Sequence, residues 1–139
     1  MPYFRLFYHI VWATKERLPL ITSENREPIY AAILTKVEEC RGIVHALNGM
    51  PDHVHLVATL PPGRELSRII GEIKGSSSHL ASHLPGAGED SPFQWQADYG
   101  VITISESHVP LVVRYVENQQ RHHAENTLNR TLEHCEASL

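Results

Sequence analysis

The stretch Pro51-Asp52-His53-Val54-His55-Leu56-Val57 places two histidines on either side of one valine, inside an apolar run that predicts a β-strand. Because side chains alternate across a strand, His53 and His55 leave one face, while Val54 and Leu56 leave the other towards a core. Two imidazoles held side by side on a rigid element can bind one metal ion. Two half-buried histidines bonded to backbone or water are the alternative, because short motifs also occur by chance.

The segments around this strand predict an α+β fold. Runs of aromatic and β-branched residues predict strands, and apolar residues at four-residue spacing predict helices. The resulting order predicts a ferredoxin-like sandwich, in which an antiparallel sheet carries helices on one face and is followed by a C-terminal helix. The predicted elements are strands at 3–14, 43–49 and 53–60, helices at about 23–41 and 65–83, short strand-like pieces at 93–95 and 99–104, and a last helix from Ser105 or Ser107 to about His123.

The sequence predicts a single domain over residues 1–139, without an internal repeat. Ser23 is the predicted N-cap of the first helix. Residues 85–92 are a loop by composition, since glycine, proline and serine dominate them. Residues 124–139 form a polar tail with few apolar anchors.

Composition narrows the class of protein. The formal net charge of −4 argues against a protein that coats duplex DNA nonspecifically. Two cysteines without metal-ligand spacing fit a reducing cytoplasm. Charged residues interrupt positions 1–20, and no apolar run has the length of a membrane span, which predicts a cytoplasmic protein without a signal peptide or membrane association. No phosphate-binding glycine loop is present, so no nucleotide cofactor is expected.

A second polar feature lies in the predicted last helix. Tyr115 and Gln119 are four residues apart, so a helix places them on one face. Gln120, His122 and His123 make the outer face of this helix unusually polar. Tyr115 borders the apolar side, so a core tyrosine is the alternative from the pattern alone. The apolar side contains Val109, Val112, Val113 and Val116.

Five motifs, in this order along the chain, resemble the single-tyrosine HUH transposases of the insertion-sequence 200/605 type. They also resemble the relatives of these enzymes that are associated with repetitive extragenic palindromes. The resemblance spans nearly the whole chain and implies one HUH transposase domain over residues 1–139. The motifs are Tyr8-His9-Ile10-Val11-Trp12-Ala13-Thr14-Lys15, Met50-Pro51-Asp52-His53-Val54-His55-Leu56, Lys74-Gly75-Ser76-Ser77, Trp95-Gln96-Ala97-Asp98-Tyr99, and Tyr115-Val116-Glu117-Asn118-Gln119 with His122-His123.

The resemblance implies a role for four residues. His53, His55 and Gln119 would be the protein ligands of a divalent cation, and Tyr115 would be the nucleophile. The implied ion is Mg²⁺ or Mn²⁺. Ligand chemistry alone favours Zn²⁺ or Mn²⁺ over Mg²⁺, because two imidazoles and an amide oxygen offer few hard ligands.

The resemblance also implies the reaction and the partners. Tyr115 would attack phosphorus in single-stranded DNA with hairpin ends, leaving a 5′-phosphotyrosine link and a free 3′-hydroxyl that allow strands to be rejoined. A homodimer is implied, in which the tyrosine helix of one subunit can complete the histidine pair of the other.

The remaining basic and histidine side chains have weaker assignments. Basic side chains that track phosphates are candidates for DNA contact, with a solvated surface as the alternative. His122 and His123 match the family without an assigned chemical role. The predicted DNA-binding residues are Arg5, Lys15, Arg17, Arg68 and Lys74. The histidines expected to be ordinary surface or core residues are His9, His45, His79, His83, His108 and His134.

Three alternative functions stay open at this point. A domesticated relative would nick and rejoin chromosomal palindromes with the same residues. A non-catalytic single-stranded DNA-binding module would keep the fold without the reaction. A metal-dependent hydrolase would use the histidine pair with water as the nucleophile, and replacing Tyr115 with phenylalanine would then leave cleavage intact.

Overall fold

The computed structural model describes residues 2–87 and 93–135. Four strands form one antiparallel sheet in the order β2-β3-β1-β4, which confirms the ferredoxin-like α+β prediction. The predicted loop at 85–92 and the predicted tail at 124–139 lie partly outside the described residues. The elements are β1 (Phe7–Ala13), α1 (Arg26–Glu39), β2 (Ile43–Met50), β3 (His53–Thr59), α2 (Leu66–Ser82), β4 (Gly100–Ile104), α3 (Val109–Glu117), α4 (Gln119–Glu125) and α5 (Arg130–Glu133), with short 3-10 turns at Lys15–Arg17 and Glu106–His108.

One face of the sheet carries the main hydrophobic core. Here β1 and β3 direct alternate apolar side chains against α1 and α2, and these side chains are fully buried. Burying one large aliphatic side chain contributes about 1.5–3 kcal/mol, so this layer makes a large contribution to the stability of the fold. The buried residues include Ile10, Trp12, Val54 and Leu56 from the strands and Ile29, Ile33, Ile69 and Ile73 from the helices.

The other face of the same two strands is mixed. Phe7 and Val57 pack against Val116 of α3 in a smaller apolar cluster at one end. At the other end, where Ala13 pairs with His53, the residues of β3 that alternate with its core positions are His53 and His55. The helices after β4 cover this second face, and they bring the predicted tyrosine to it.

Several strands and helices begin at residues other than those predicted. Strand β1 begins at Phe7 rather than at residue 3, and Trp95 forms only an isolated bridge with Thr14. The N-cap of α1 is Asn25, so the Ser23 prediction is wrong. Thr22 and Asn25 bond each other reciprocally, from Thr22 N to Asn25 Oδ1 at 2.7 Å and from Asn25 N to Thr22 Oγ1 at 3.2 Å. This closed turn delays the start of the helix.

The predicted last helix is broken in two. It starts with Val109 after a 3-10 turn, has Pro110 in its first turn, and ends at Glu117. Asn118 leaves helical geometry, and α4 begins at Gln119. The side-chain amide of Asn118 donates to Arg114 O at 2.7 Å, so it takes a carbonyl near the end of α3 and helps to terminate that helix.

The C-terminal segment is better anchored than its polar sequence suggests. Leu132 and Cys135 are buried, and Cys135 packs with Val11 and Ala13 of β1. The backbone also passes close to β4, because the carbonyl oxygen of His134 leaves no room for a Cβ at Gly100. Within residues 2–87 and 93–135, none of the helices is long and apolar enough to cross a membrane.

Candidate active site

His53 and His55 lie side by side on the second face of β3. They are 2 % and 0 % exposed, and their ring centroids are 5.0 Å apart. The strand register places His53 opposite Ala13 and His55 opposite Val11, so the small side chains of β1 leave room over the pair. The alternation predicted from the sequence therefore brings both imidazoles into one buried space.

Both imidazoles have a partner on Nδ1. His53 Nδ1 lies 2.7 Å from Asp52 Oδ1, and His55 Nδ1 lies 2.9 Å from His9 Nε2. Burial, followed by the neighbouring His55, lowers the pKa of His9 to about 3, so the His9 ring is neutral and can accept this bond. When Nδ1 donates to Asp52 or His9, the Nε2 lone pair of each ring faces inward, which is the orientation that a metal requires.

Gln119 supplies an amide to the same space from the start of α4. It is fully buried, and its Oε1 lies 3.3 Å from His53 Nε2. His123, one helical turn further on, places its Nε2 3.0 Å from the same oxygen. The structure therefore brings the predicted third ligand to the histidine pair, even though the helix breaks just before it.

Tyr115 reaches the site from α3. Its hydroxyl donates to Glu133 Oε2 at 2.5 Å and accepts from Asn129 N at 2.9 Å. Its ring lies 6.2 Å from that of His55 and stacks on His122 at 4.5 Å. Burial and then the Glu133 carboxylate raise the pKa of Tyr115 to about 12, so without a cation the side chain is a neutral phenol.

Glu133 of α5 lies between the tyrosine and the histidines. Its Oε1 is 3.1 Å from His53 Nε2 and 3.2 Å from His55 Nε2, and its Oε2 accepts from Gln119 Nε2 at 3.1 Å. Burial raises the pKa of this carboxyl, but hydrogen bonds to the two histidines and to Tyr115 outweigh burial and lower it below its ordinary value. The group is therefore an ionised carboxylate.

These groups fit a divalent cation. With Nδ1 of His53 donating to Asp52, its Nε2 lone pair faces two further acceptors, Gln119 Oε1 and Glu133 Oε1. Only a proton or a cation can satisfy three converging acceptors. Burial lowers the pKa of His53, but hydrogen bonds to Glu133 and Asp52 outweigh it and raise the pKa, as expected for a site that attracts positive charge. Ligand atoms of His53, His55 and Glu133 lie within 4.8 Å of one another.

Asn48 of β2 secures the junction between α3 and α4. Its side-chain amide donates to Val116 O at 3.0 Å and to Glu117 O at 3.1 Å. Its Oδ1 accepts from Arg26 at 2.7 Å and from Gln120 at 3.1 Å. Because this junction separates Tyr115 from Gln119, the contacts position both residues over the histidines of their own chain.

The predicted DNA-binding residues have different surroundings. Arg17 lies near the site, with Nη1 3.8 Å from Asp52 Oδ2 and Nη2 3.0 Å from Cys135 Sγ. Arg5 forms an ion pair with Glu106 near the start of α3. Lys15 and Arg68 are exposed.

Lys74 is more confined than a surface cation. Its ammonium donates to the carbonyl oxygens of Gln96, Ala97 and Asp98 at 2.6, 3.1 and 3.1 Å. Burial lowers its pKa. The side chain therefore organises the loop before β4.

Sequence reasoning missed four residues of the site. His9 shares the strand face of the site by parity, Asp52 precedes His53 directly, and His123 is one turn after Gln119, so each had a local signal. Glu133 had none, because it lies in a polar tail and 78 residues separate it from His55. Its position follows only from the packing of the C-terminal segment.

The fold is that of a class of DNA-processing enzymes, the transposases. Residues 2–119 match the family model described as "Transposase IS200 like". The match covers most of the chain, so the chain belongs to the IS200-like transposase family. It includes His53, His55, Tyr115 and Gln119, and it ends before Glu133.

Two curated relatives illustrate the similarity. The chain is 26 % identical over 125 residues to the ISDra2 transposase TnpA of Deinococcus radiodurans, covering 84 % of this chain and 85 % of that protein. It is 33 % identical over 72 residues to the transposase for insertion sequence element IS200 of Salmonella typhimurium, covering 51 % of this chain and 47 % of that protein.

Two solved structures share the fold. A crystal structure of a putative transposase from Deinococcus radiodurans R1 aligns with a TM-score of 0.67 and 27 % identity, covering 86 % of this chain and 95 % of that one. The structure of a REP-associated tyrosine transposase bound to a REP hairpin aligns with a TM-score of 0.63 and 20 % identity, covering 92 % and 76 %.

Proposed function

We propose that this chain, as one HUH transposase domain, cleaves and rejoins single-stranded DNA through a 5′-phosphotyrosine intermediate. Tyr115 is the nucleophile, and His53, His55 and Gln119 hold Mg²⁺ or Mn²⁺. One observation carries the proposal. The Tyr115 hydroxyl, Nε2 of both histidines and the side-chain amide nitrogen of Gln119 all contact a single carboxylate, that of Glu133.

The groups of the site support this reaction. When bound, the divalent cation would withdraw charge from the scissile phosphate and favour the phenolate. Glu133 accepts a hydrogen bond from the Tyr115 hydroxyl and can take its proton, while the His122 ring stacks on the phenol. As the bond from the tyrosine oxygen to phosphorus forms, the phenolic proton passes to Glu133, the bond to the 3′ oxygen breaks, and the 3′ oxygen takes up a proton to become a 3′-hydroxyl. Because one ester replaces another, the step needs no nucleotide cofactor and can be reversed by a second 3′-hydroxyl.

The proposed substrate is single-stranded DNA with hairpin ends. The fold relative bound to a REP hairpin supports a DNA hairpin as partner. A groove of about 690 Å³ is lined by Lys15, Arg17, Trp95 and Gln96, among others, and combines cations with an aromatic ring. Arg17 also lies near Asp52, the partner of His53, so this groove leads to the reacting groups. Of the proposed DNA contacts, Lys15 and Arg17 are therefore the primary ones, and Arg5, Arg68 and Lys74 are secondary.

Covalent trapping tests the proposal. Labelled single-stranded DNA with candidate hairpins, including genomic palindromes, is incubated with the protein and Mn²⁺ or EDTA, then separated under denaturing conditions. We expect a metal-dependent protein–DNA band that Tyr115→Phe abolishes. Tyr8→Phe is the matched control, because Tyr8 packs against the core on the opposite face of the sheet.

Other outcomes identify the alternative functions. Cleavage without a covalent band, retained in Tyr115→Phe, would contradict the proposal and indicate a hydrolase. Tight hairpin binding without cleavage under any metal would indicate a binding module. A band formed only with chromosomal palindromes would keep the chemistry and indicate a domesticated role.

The assembly of the site is tested by mixing two inactive variants. We propose a homodimer, as the family resemblance implies, yet Tyr115 and His55 of one chain are already adjacent. A mixture of Tyr115→Phe and His53→Ala should therefore form no covalent band. A band in the mixture would show that dimeric subunits exchange their tyrosine helices.

A further inference from the structure

We propose that Glu133 is a fourth protein ligand of the cation, binding it through Oε1 while Oε2 holds the Tyr115 hydroxyl. The inference rests on the proposed function and adds a residue to its site. Glu133 belongs to α5, 14 residues beyond Gln119, where the family match ends. It would join the ligand set and the nucleophile through one side chain.

The distances between the ligand atoms support coordination. Glu133 Oε1 lies 3.1 Å from His53 Nε2 and 3.2 Å from His55 Nε2. Gln119 Oε1 lies 3.3 Å from His53 Nε2. Neighbouring ligands at right angles around a cation, with bonds of about 2.1 Å, are about 3.0 Å apart. These three separations, from Glu133 Oε1 to both histidines and from Gln119 Oε1 to His53, therefore match the spacing of adjacent ligands.

The chemistry of the ligands supports the same assignment. Asp52 and His9 occupy Nδ1 of the two ligand histidines, so both Nε2 atoms are available to a cation. Two imidazoles and one amide oxygen form a neutral set that suits Zn²⁺. An ionised carboxylate adds a hard, charged oxygen, which shifts the preference of the site towards Mn²⁺ and Mg²⁺.

The segment that carries Glu133 is held in place by contacts of its own. The Asn129 side chain accepts from Leu132 N at 3.2 Å and caps α5, while Asn129 N donates to the Tyr115 hydroxyl. Leu132 is 6 % exposed and Cys135 3 % exposed, on either side of Glu133. The carboxylate is thus positioned by packing and does not depend on a cation to draw it into the site.

The test is Mn²⁺ binding by the 139-residue chain in the absence of DNA, measured by calorimetry and by the electron paramagnetic resonance signal of free Mn²⁺. Glu133→Gln should weaken Mn²⁺ affinity at least tenfold, and Zn²⁺ affinity less. Glu125→Gln is the matched control, because it removes the same charge from an exposed position nearby at the end of α4 and should change affinity less than twofold. If Glu133→Gln does not fold, Glu133→Asp keeps the charge, and its shorter reach should also weaken Mn²⁺ binding.

Two results would overturn the inference. Unchanged Mn²⁺ affinity in the Glu133 variants would show that the carboxylate is not a ligand. Unchanged affinity with more covalent adduct would show instead that Glu133 occupies the place of the DNA phosphate. The Mn²⁺ titration contains no DNA, so it tests the ligand separately from the reaction. If the Glu133 variants bind Mn²⁺ more weakly while the unaltered protein forms no covalent adduct with DNA, Glu133 is a ligand and the proposed reaction is wrong.

Discussion

The two faces of the central sheet are built from neighbouring residues and have opposite characters. On one face, Leu56 and its neighbours are fully buried against α1 and α2 in an apolar layer. On the other, His53 and His55 are equally buried but meet a carboxylate, an amide and a phenol. The comparison teaches that one strand can support stability with one set of alternate residues and chemistry with the other. Targeted substitutions can separate these two contributions.

The largest effect is expected from a pair of adjacent substitutions. His55→Ala should reduce metal-dependent adduct formation by more than about 100-fold, because it removes a proposed ligand. Leu56→Ala should lower the free energy of unfolding by about 2–5 kcal/mol through the cavity that it leaves, while the folded fraction keeps its activity. Denaturant unfolding and covalent trapping on the same samples measure both quantities. Equal loss of activity in the two variants would show that the faces are not independent.

Cation binding should stabilise the protein through the second face of the sheet, but the first face should fold without it. At an Mn²⁺ concentration about 100-fold above its Kd, the stabilisation is about 2.7 kcal/mol. That corresponds to a rise in Tm of about 5–10 °C. EDTA should leave the protein folded, since the apolar layer on α1 and α2 contains no ligand. Thermal unfolding followed by circular dichroism measures the shift, and His53→Ala should abolish it. Unfolding in EDTA would contradict the separation of the faces.

Asn48 links β2 to the helices that carry the site. Asn48→Ala should slow adduct formation about 10- to 100-fold, because the junction that positions Tyr115 loses its two bonds. Asn48→Asp is the sharper control, since it can still accept from Arg26 but cannot donate to Val116 O. Single-turnover rates at saturating DNA, well below the Tm, measure the effect. Full activity in Asn48→Asp would show that these donated bonds do not position the tyrosine.

The smallest effects are expected on the surface. Lys15→Ala and Arg17→Ala should each weaken single-stranded DNA binding by a few fold. Each should also reduce the slope of log K against log salt concentration by about 0.7 for each phosphate that is no longer neutralised. Arg5→Ala should matter less, because Arg5 already pairs with Glu106. Fluorescence anisotropy at several salt concentrations compares the three variants. A larger loss of DNA affinity in Arg5→Ala would indicate that the DNA does not bind along the groove beside Asp52.

Much of the fold could be predicted because its patterns are local. The strand carrying His53 and His55, its hairpin partner and both core helices follow from periodicity and turn residues. The N-cap at Asn25 and the helix break at Asn118 could not, because each depends on a side chain bonding a particular backbone group. In the site, the roles of His53, His55, Gln119 and Tyr115 came from a family resemblance, and the structure brings the four together.

The sequence by itself determined which residues share a strand face and which chemical groups are available, because alternation and helical spacing act over a few residues. The tertiary structure alone decided that Glu133 meets His55 across 78 residues and that Asn48 bonds the backbone at Val116 across 68. Such contacts depend on how the C-terminal helices pack over the sheet, and no local pattern encodes that packing. The fold class could therefore be predicted from local sequence patterns. The position of the Glu133 carboxylate could not, because it depends on how the C-terminal helices pack on the second face of the sheet.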